Sequence, residues 1–152
     1  MEIIITKGKD RNTLTCQREN KTFTSYNLGP NLPNHDIAHY VIEKKFQFNK
    51  GFYGNIKSGM SIEELSDKEI IKNLEQEALL AEIMTRNLQA IGSGAAKIDD
   101  YISLVTWEAN NLNNVQIPEL NLKIIEELKI EFDHLCTQWE AISEGDQLKL
   151  SF

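Results

Sequence analysis

Three patterns in the sequence predict an α+β fold, a small antiparallel sheet of about four strands packed against three to four helices. Apolar residues alternate in three short stretches before residue 27, which supplies three N-terminal strands. They recur every three or four residues over 67–91 and 119–142, which supplies the long helices, and they alternate again at 147–152, which supplies one C-terminal strand. The chain has 152 residues, enough for one core, and shows no repeat and no low-complexity run. It reads as a single domain over 1–152.

Taken in order, residues 1–6 place Met1, Ile3 and Ile5 on one face. After the turn Lys7–Asp10, residues 12–17 alternate with Leu14 and Cys16 inward. Residues 21–26 follow, with Phe23 inward and Thr22 and Thr24 outward, and the tight connections favour a meander. A Gly/Pro/Asn-rich connection over 27–32 then leads to a helix from about Asn34, the expected cap, with Asp36 in the first turn, ending by Phe46 or Phe48. Residues 49–60 hold Gly51, Gly54 and Gly59 and read as a loop in which the glycines supply positive backbone dihedrals. Ser61 with Glu64 and Ser66 with Glu69 fit two capping boxes, the first for a short helix over 62–66 and the second for a long one over 67–91. A less regular helix over 96–112 and a clear one over 119–142, striped by Ile125, Leu128, Phe132, Leu135, Trp139 and Ile142, complete the set. Trp107 and Trp139 both fall at packing positions. The strand at 147–152, with Leu148, Leu150 and Phe152 inward, needs one of the N-terminal strands as a partner.

Composition excludes several classes of function. The formal charge of −7 argues against duplex binding, although Lys44, Lys45, Lys50 and Lys57 cluster. No run approaches the roughly 20 apolar residues of a membrane span, and the N-terminus carries no secretion signal, so the chain reads as soluble and cytoplasmic. Cys16 and Cys136 stand in no zinc-knuckle or redox spacing and read as free buried thiols.

Residues 33–59 concentrate the chemistry. On a helix, His35, His39 and Glu43 recur at four-residue spacing on one face, bordering the apolar arc, with Asp36 beside them. Two imidazoles so placed suit zinc or another divalent metal, with a carboxylate as third ligand. The spacing is HxxxH without the protease glutamate, so a further ligand must come from elsewhere. His134, Asp133, Glu131 or Glu127 on the last helix are the candidates. An HD-type phosphohydrolase would need an earlier histidine, which residues 1–34 lack, and a later carboxylate such as Asp99, Asp100 or Asp133. A metal-free alternative has Asp36 orienting His39 as a general base toward a substrate held by Tyr40 or Tyr53. Phe52 and Tyr53 also form a candidate contact patch. Neither a phosphate cradle nor a dinucleotide fingerprint is present.

The run His35-Asp36-Ile37-Ala38-His39-Tyr40-Val41-Ile42-Glu43, the Gly51-Phe52-Tyr53-Gly54 loop and the closing Trp139, Ile142, Gly145, Leu148 and Leu150 together resemble a small bacterial family of unknown function. The resemblance implies that both chain ends join one domain and draws attention to the histidine helix; it implies no activity. The sequence therefore favours a non-catalytic binding or regulatory module, with an unknown protein or small-molecule partner at Asp36, His39, Tyr40, Phe52 and Tyr53. The alternative is a divalent-metal-binding protein or metal-dependent hydrolase centred on His35, His39 and Glu43, with His134 as the added ligand. A homodimer through the stripe over 70–91 is a further expectation.

Overall fold

The structure is a computed structural model that describes residues 1–29 and 32–152, Leu32 by its backbone alone. The expected connection through Pro30 and Asn31 lies outside the described residues. Strands β1 (Glu2–Thr6), β2 (Asn12–Gln17), β3 (Phe23–Leu28) and β4 (Gln147–Ser151) form one antiparallel sheet in the order β3-β2-β1-β4. Register explains why β4 belongs beside β1. Ile3 stands between Leu150 and Cys16, and Ile5 between Leu148 and Leu14, so two apolar rows cross the sheet on its covered face. The meander and the C-terminal strand thus follow the expected α+β outline.

The helices are α1 (Leu32–Phe46), α2 (Phe52–Ser58), α3 (Lys68–Ile71), α4 (Gln76–Gly92), α5 (Tyr101–Ala109) and α6 (Leu122–Ala141), with short 3-10 turns at Glu64–Ser66 and Ile98–Asp100. Ile37 and Ile42 of α1, Leu80, Met84 and Leu88 of α4 and Ile125 of α6 are fully buried in the shared core. Charged side chains secure two helix ends from the sheet. Lys7 Nζ donates to the carbonyls of Trp139, Glu140 and Ile142 at the end of α6. Arg18 spans the carbonyls of Ile56 and Met60 at the end of α2, each at 2.6 Å. Lys7 thereby supplies donors at the carbonyl end of α6, and Arg18 adds to the Ile56 carbonyl, which also accepts from the Gly59 amide that caps α2.

Several local expectations are corrected. The helix expected over 67–91 is two helices, because Lys72–Glu75 leaves the helical path between α3 and α4. The cap of α3 is Asp67, whose carboxylate accepts from the Glu69 and Ile70 amides, while Ser66 turns back to the Ile62 carbonyl. The Ser61–Glu64 box is formed as expected, with Ser61 N donating to Glu64 and Glu64 N to Ser61 Oγ. Phe23, expected inward, is 69% exposed at the start of the edge strand, and Leu28 supplies the buried position of β3 instead. Trp107 is 77% exposed on α5, whereas Trp139 is buried as its stripe requires. Cys16 is buried, but Cys136 only partly so. The stripe proposed for dimerisation faces the chain's own core, with Leu80, Ala81, Met84, Leu88 and Ile91 all buried. No helix among the described residues is long and apolar enough to cross a membrane.

Candidate metal site and pocket

The residues read as a glycine loop are the start of a helix, and that helix positions the site. Helix α2 begins after Gly51, which has no side chain to cap the free amides. Glu43, earlier in the chain on α1, does so instead: its Oε2 accepts from the Tyr53 amide at 2.9 Å and the Gly54 amide at 3.1 Å. These are the second and third amides of α2, the ones an N-cap side chain normally satisfies. The two glycines owe their place to close approach. A Cβ on Gly51 would run into the Glu43 carboxylate, and one on Gly54 would run into the Asn49 backbone. Gly51 has φ −71°, so the positive dihedral expected there is absent; Gly59, at φ 125°, ends the helix in a region that favours glycine.

Helix α1 begins at Leu32, so Asn34 is inside it and Asp36 lies past its first turn; neither caps it. His39 is nearly buried at 5% exposure and sits between two carboxylates. Its Nδ1 lies 3.0 Å from Glu43 Oε1, and its Nε2 lies 3.1 Å from Glu82 Oε2 on α4. Because a carboxylate only accepts, Nδ1 carries the proton toward Glu43. His35, one turn earlier, places its Nδ1 2.9 Å from Gln89 Oε1 and its Nε2 3.6 Å from Glu82 Oε2. The two rings meet edge to face, with centroids 4.7 Å apart. Both imidazoles are thus held through Nδ1, and both Nε2 atoms converge on one Glu82 oxygen.

His35, His39 and Glu82 together offer three donor atoms within 4.8 Å of one another. Tetrahedral zinc with bonds near 2.05 Å separates adjacent ligand atoms by about 3.4 Å. The two Nε2–Oε2 distances, 3.1 and 3.6 Å, bracket that value. A pair of histidines and one carboxylate, with their outer nitrogens held by acceptors, is the donor chemistry of zinc sites that keep a fourth position open.

In the absence of an ion the charges settle differently. Burial alone would depress His39, but its hydrogen bonds to Glu43 and Glu82 outweigh that and raise it to about 9. Burial also disfavours ionisation of Glu82, and the hydrogen bonds to His35 and His39 overcome it, holding this carboxyl well below its usual range. A proton on His39 Nε2 therefore occupies the place that a cation would take.

Asp36 does not orient His39. Its carboxyl is 6% exposed, and Oδ2 is buried without a hydrogen-bond partner. Burial pushes Asp36 up to about 6, against the favourable pull of His39 and His35. Its backbone is held by Tyr53, whose buried hydroxyl donates to the Asp36 carbonyl at 3.1 Å. Asp36, His35, His39 and Glu82 form the polar end of a 430 Å³ cavity whose walls are otherwise chiefly Phe52, Leu65, Ile71, Leu74, Ala78 and Leu79.

The expected site residues separate into distinct places. His35, Asp36, His39 and Phe52 line this cavity. Glu43 supports His39 from behind and caps α2, and Tyr53 is fully buried instead of forming a contact patch. Tyr40 lies on the opposite flank of α1, in a groove with Lys44, Lys45, Glu127 and Glu131. His134 is exposed on α6 and pairs with Gln138, Asp133 binds Lys129 and Glu127 binds Lys45, while Glu131 lines the groove beside Tyr40, away from the imidazoles. Asp99 and Asp100 are exposed on their 3-10 turn. Sequence reasoning missed Glu82 and Gln89. The available signal was their spacing of seven residues, two helical turns, along the border of the apolar stripe of α4.

No protein-family model, curated protein or solved structure matches the chain.

Proposed function

We propose that this chain is a divalent-metal-binding protein in which His35 Nε2, His39 Nε2 and the Glu82 carboxylate hold a zinc-type ion at the polar end of a small-molecule pocket. The observation that carries this reading is the commitment of both Nδ1 atoms to acceptors, Gln89 and Glu43, which directs both Nε2 atoms toward one Glu82 oxygen, so that loss of the His39 Nε2 proton would turn two imidazole lone pairs and a carboxylate on a single point. Such pairing fixes the tautomer of a ligating histidine and raises its basicity. Three protein ligands leave a fourth position for water or a substrate oxygen, which suits Lewis-acid or hydrolytic chemistry. Neutral imidazole is required for ligation, so uptake displaces the His39 proton and strengthens as pH rises.

The rival reading is a non-catalytic binding module in which protonated His39 is the permanent occupant between Glu43 and Glu82. The raised proton affinity of His39 favours it. The two separate on the metal content of protein purified without a histidine tag, measured for wild type, His39→Ala, Glu82→Gln and His134→Ala. Near-stoichiometric zinc or another divalent metal in wild type and His134→Ala, lost in the other two, is the expected result. A wild type that is metal-free and takes up no zinc at micromolar concentration overturns the metal reading and leaves the binding module.

A further inference from the structure

We propose that the cavity beside His35, His39 and Glu82 binds a medium-chain acyl compound whose carbonyl-side oxygen meets the ion while an adjacent N–H donates to Asp36 Oδ2. This rests on the metal-binding reading above and names the ligand class for that site. Asp36 Oδ2 is the first reason. Buried polar atoms are nearly always paired, and this one has no partner although its residue lines the pocket. The Tyr53 hydroxyl holds the backbone carbonyl of the same residue at 3.1 Å.

The remaining wall decides the rest of the ligand. Phe52, Leu65, Leu74 and Leu79 offer no hydrogen bonds, and Asn55, whose side-chain amide spends one N–H on the Lys50 carbonyl at 2.8 Å, is the one further polar residue of the lining among the described residues. A sugar or nucleotide would bury more hydroxyls or phosphates than this lining can receive. No Lys or Arg lines the cavity, while Asp36 and Glu82 both repel an anion, which disfavours phosphate groups further. A cationic amine would satisfy Asp36 but stand against the positive ion. A neutral N–H beside a metal-bound oxygen meets both demands, and a hydrocarbon tail fills the apolar wall. The 430 Å³ volume falls within the range of about 300–1,000 Å³ typical of small-molecule sites.

The test uses the full chain loaded with cobalt(II), whose visible absorption bands report both metal occupancy and changes in its coordination. Three probes are titrated: octanohydroxamate, acetohydroxamate and N-methyl-octanohydroxamate. Octanohydroxamate is expected to bind at least about 100-fold tighter than acetohydroxamate, because its six additional methylenes leave water. N-methylation removes the N–H and is expected to weaken binding about tenfold. In Asp36→Leu that penalty should shrink to about twofold or less, as a coupling through this contact requires. Leu79→Trp, which shortens the cavity, should reduce the chain-length preference while leaving the cobalt bands of the unliganded protein unchanged. Absence of cobalt bands overturns both the metal reading and this inference. Cobalt bands with equal affinity for the two chain lengths overturn the inference alone, as does an N-methyl penalty that persists undiminished in Asp36→Leu.

Discussion

The two flanks of α1 carry polar residues at the same four-residue spacing and put them to different use. On one flank His35, His39 and Glu43 are enclosed by α2 and α4, and each ring nitrogen faces a polar partner. On the other, Tyr40 and Lys44 are also four apart; Lys44 Nζ donates to the Tyr40 hydroxyl, and Lys45 pairs with Glu127 across an open groove to α6. The Tyr40 hydroxyl in turn makes a long 3.4 Å bond to the Ser151 carbonyl. The difference lies in the dielectric surroundings. Charges on the open flank are screened by water and their pairing is weak, whereas those on the closed flank depend on one another.

The sharpest way to break this contrast is Glu43→Ala. It removes the acceptor of the His39 Nδ1 proton and leaves the Tyr53 and Gly54 amides uncapped in a buried place, so a loss of about 3–5 kcal/mol is expected in chemical denaturation. The pH dependence of the metal-free protein comes next. Because the folded state raises His39 from 6.5 to about 9, its pairing contributes fully below pH 6.5 and is lost as pH rises through 9. With chelator present, stability should fall by about 2–3 kcal/mol between pH 6.5 and 9.5. His39→Ala should show a markedly flatter profile, and an equal slope in both proteins would refute the assignment.

Gly54→Ala tests the close approach that seats α2 against α1. The added methyl meets the Asn49 backbone, which cannot swing aside as a side chain can, and about 2 kcal/mol of destabilisation is expected by thermal or urea unfolding. Asp36→Leu has the opposite sign. Removing a buried carboxyl whose Oδ2 is unpartnered should stabilise the unliganded protein by about 1 kcal/mol at pH 7.5. Lys44→Ala, on the open flank, should change stability by less than about 0.5 kcal/mol. A loss as large as that of Glu43→Ala would erase the distinction between the flanks.

The strands, the stripe of α6 and the pairing of both chain ends were legible in the sequence because each rests on a short-range rule. Alternation of period two sorts Ile3 and Ile5 from Glu2 and Ile4, and spacings of three and four align Ile125 with Leu128 and Phe132, whichever neighbours they meet. The spacing of His35, His39 and Glu43 likewise placed them on one side of α1. What it did not contain was the division of labour among them. Glu82 and Gln89 come from 43 to 54 residues away, and only the packing of α4 against α1 brings them to the imidazoles. The same packing turned Glu43 from an expected ligand into the cap of α2 and the support of His39, and it made a helix of residues that look like a glycine loop. Local pattern thus determined which residues share a face. Tertiary structure decided which atom of each residue faces which partner, because hydrogen-bond direction and desolvation depend on groups that are neighbours in space and not in sequence.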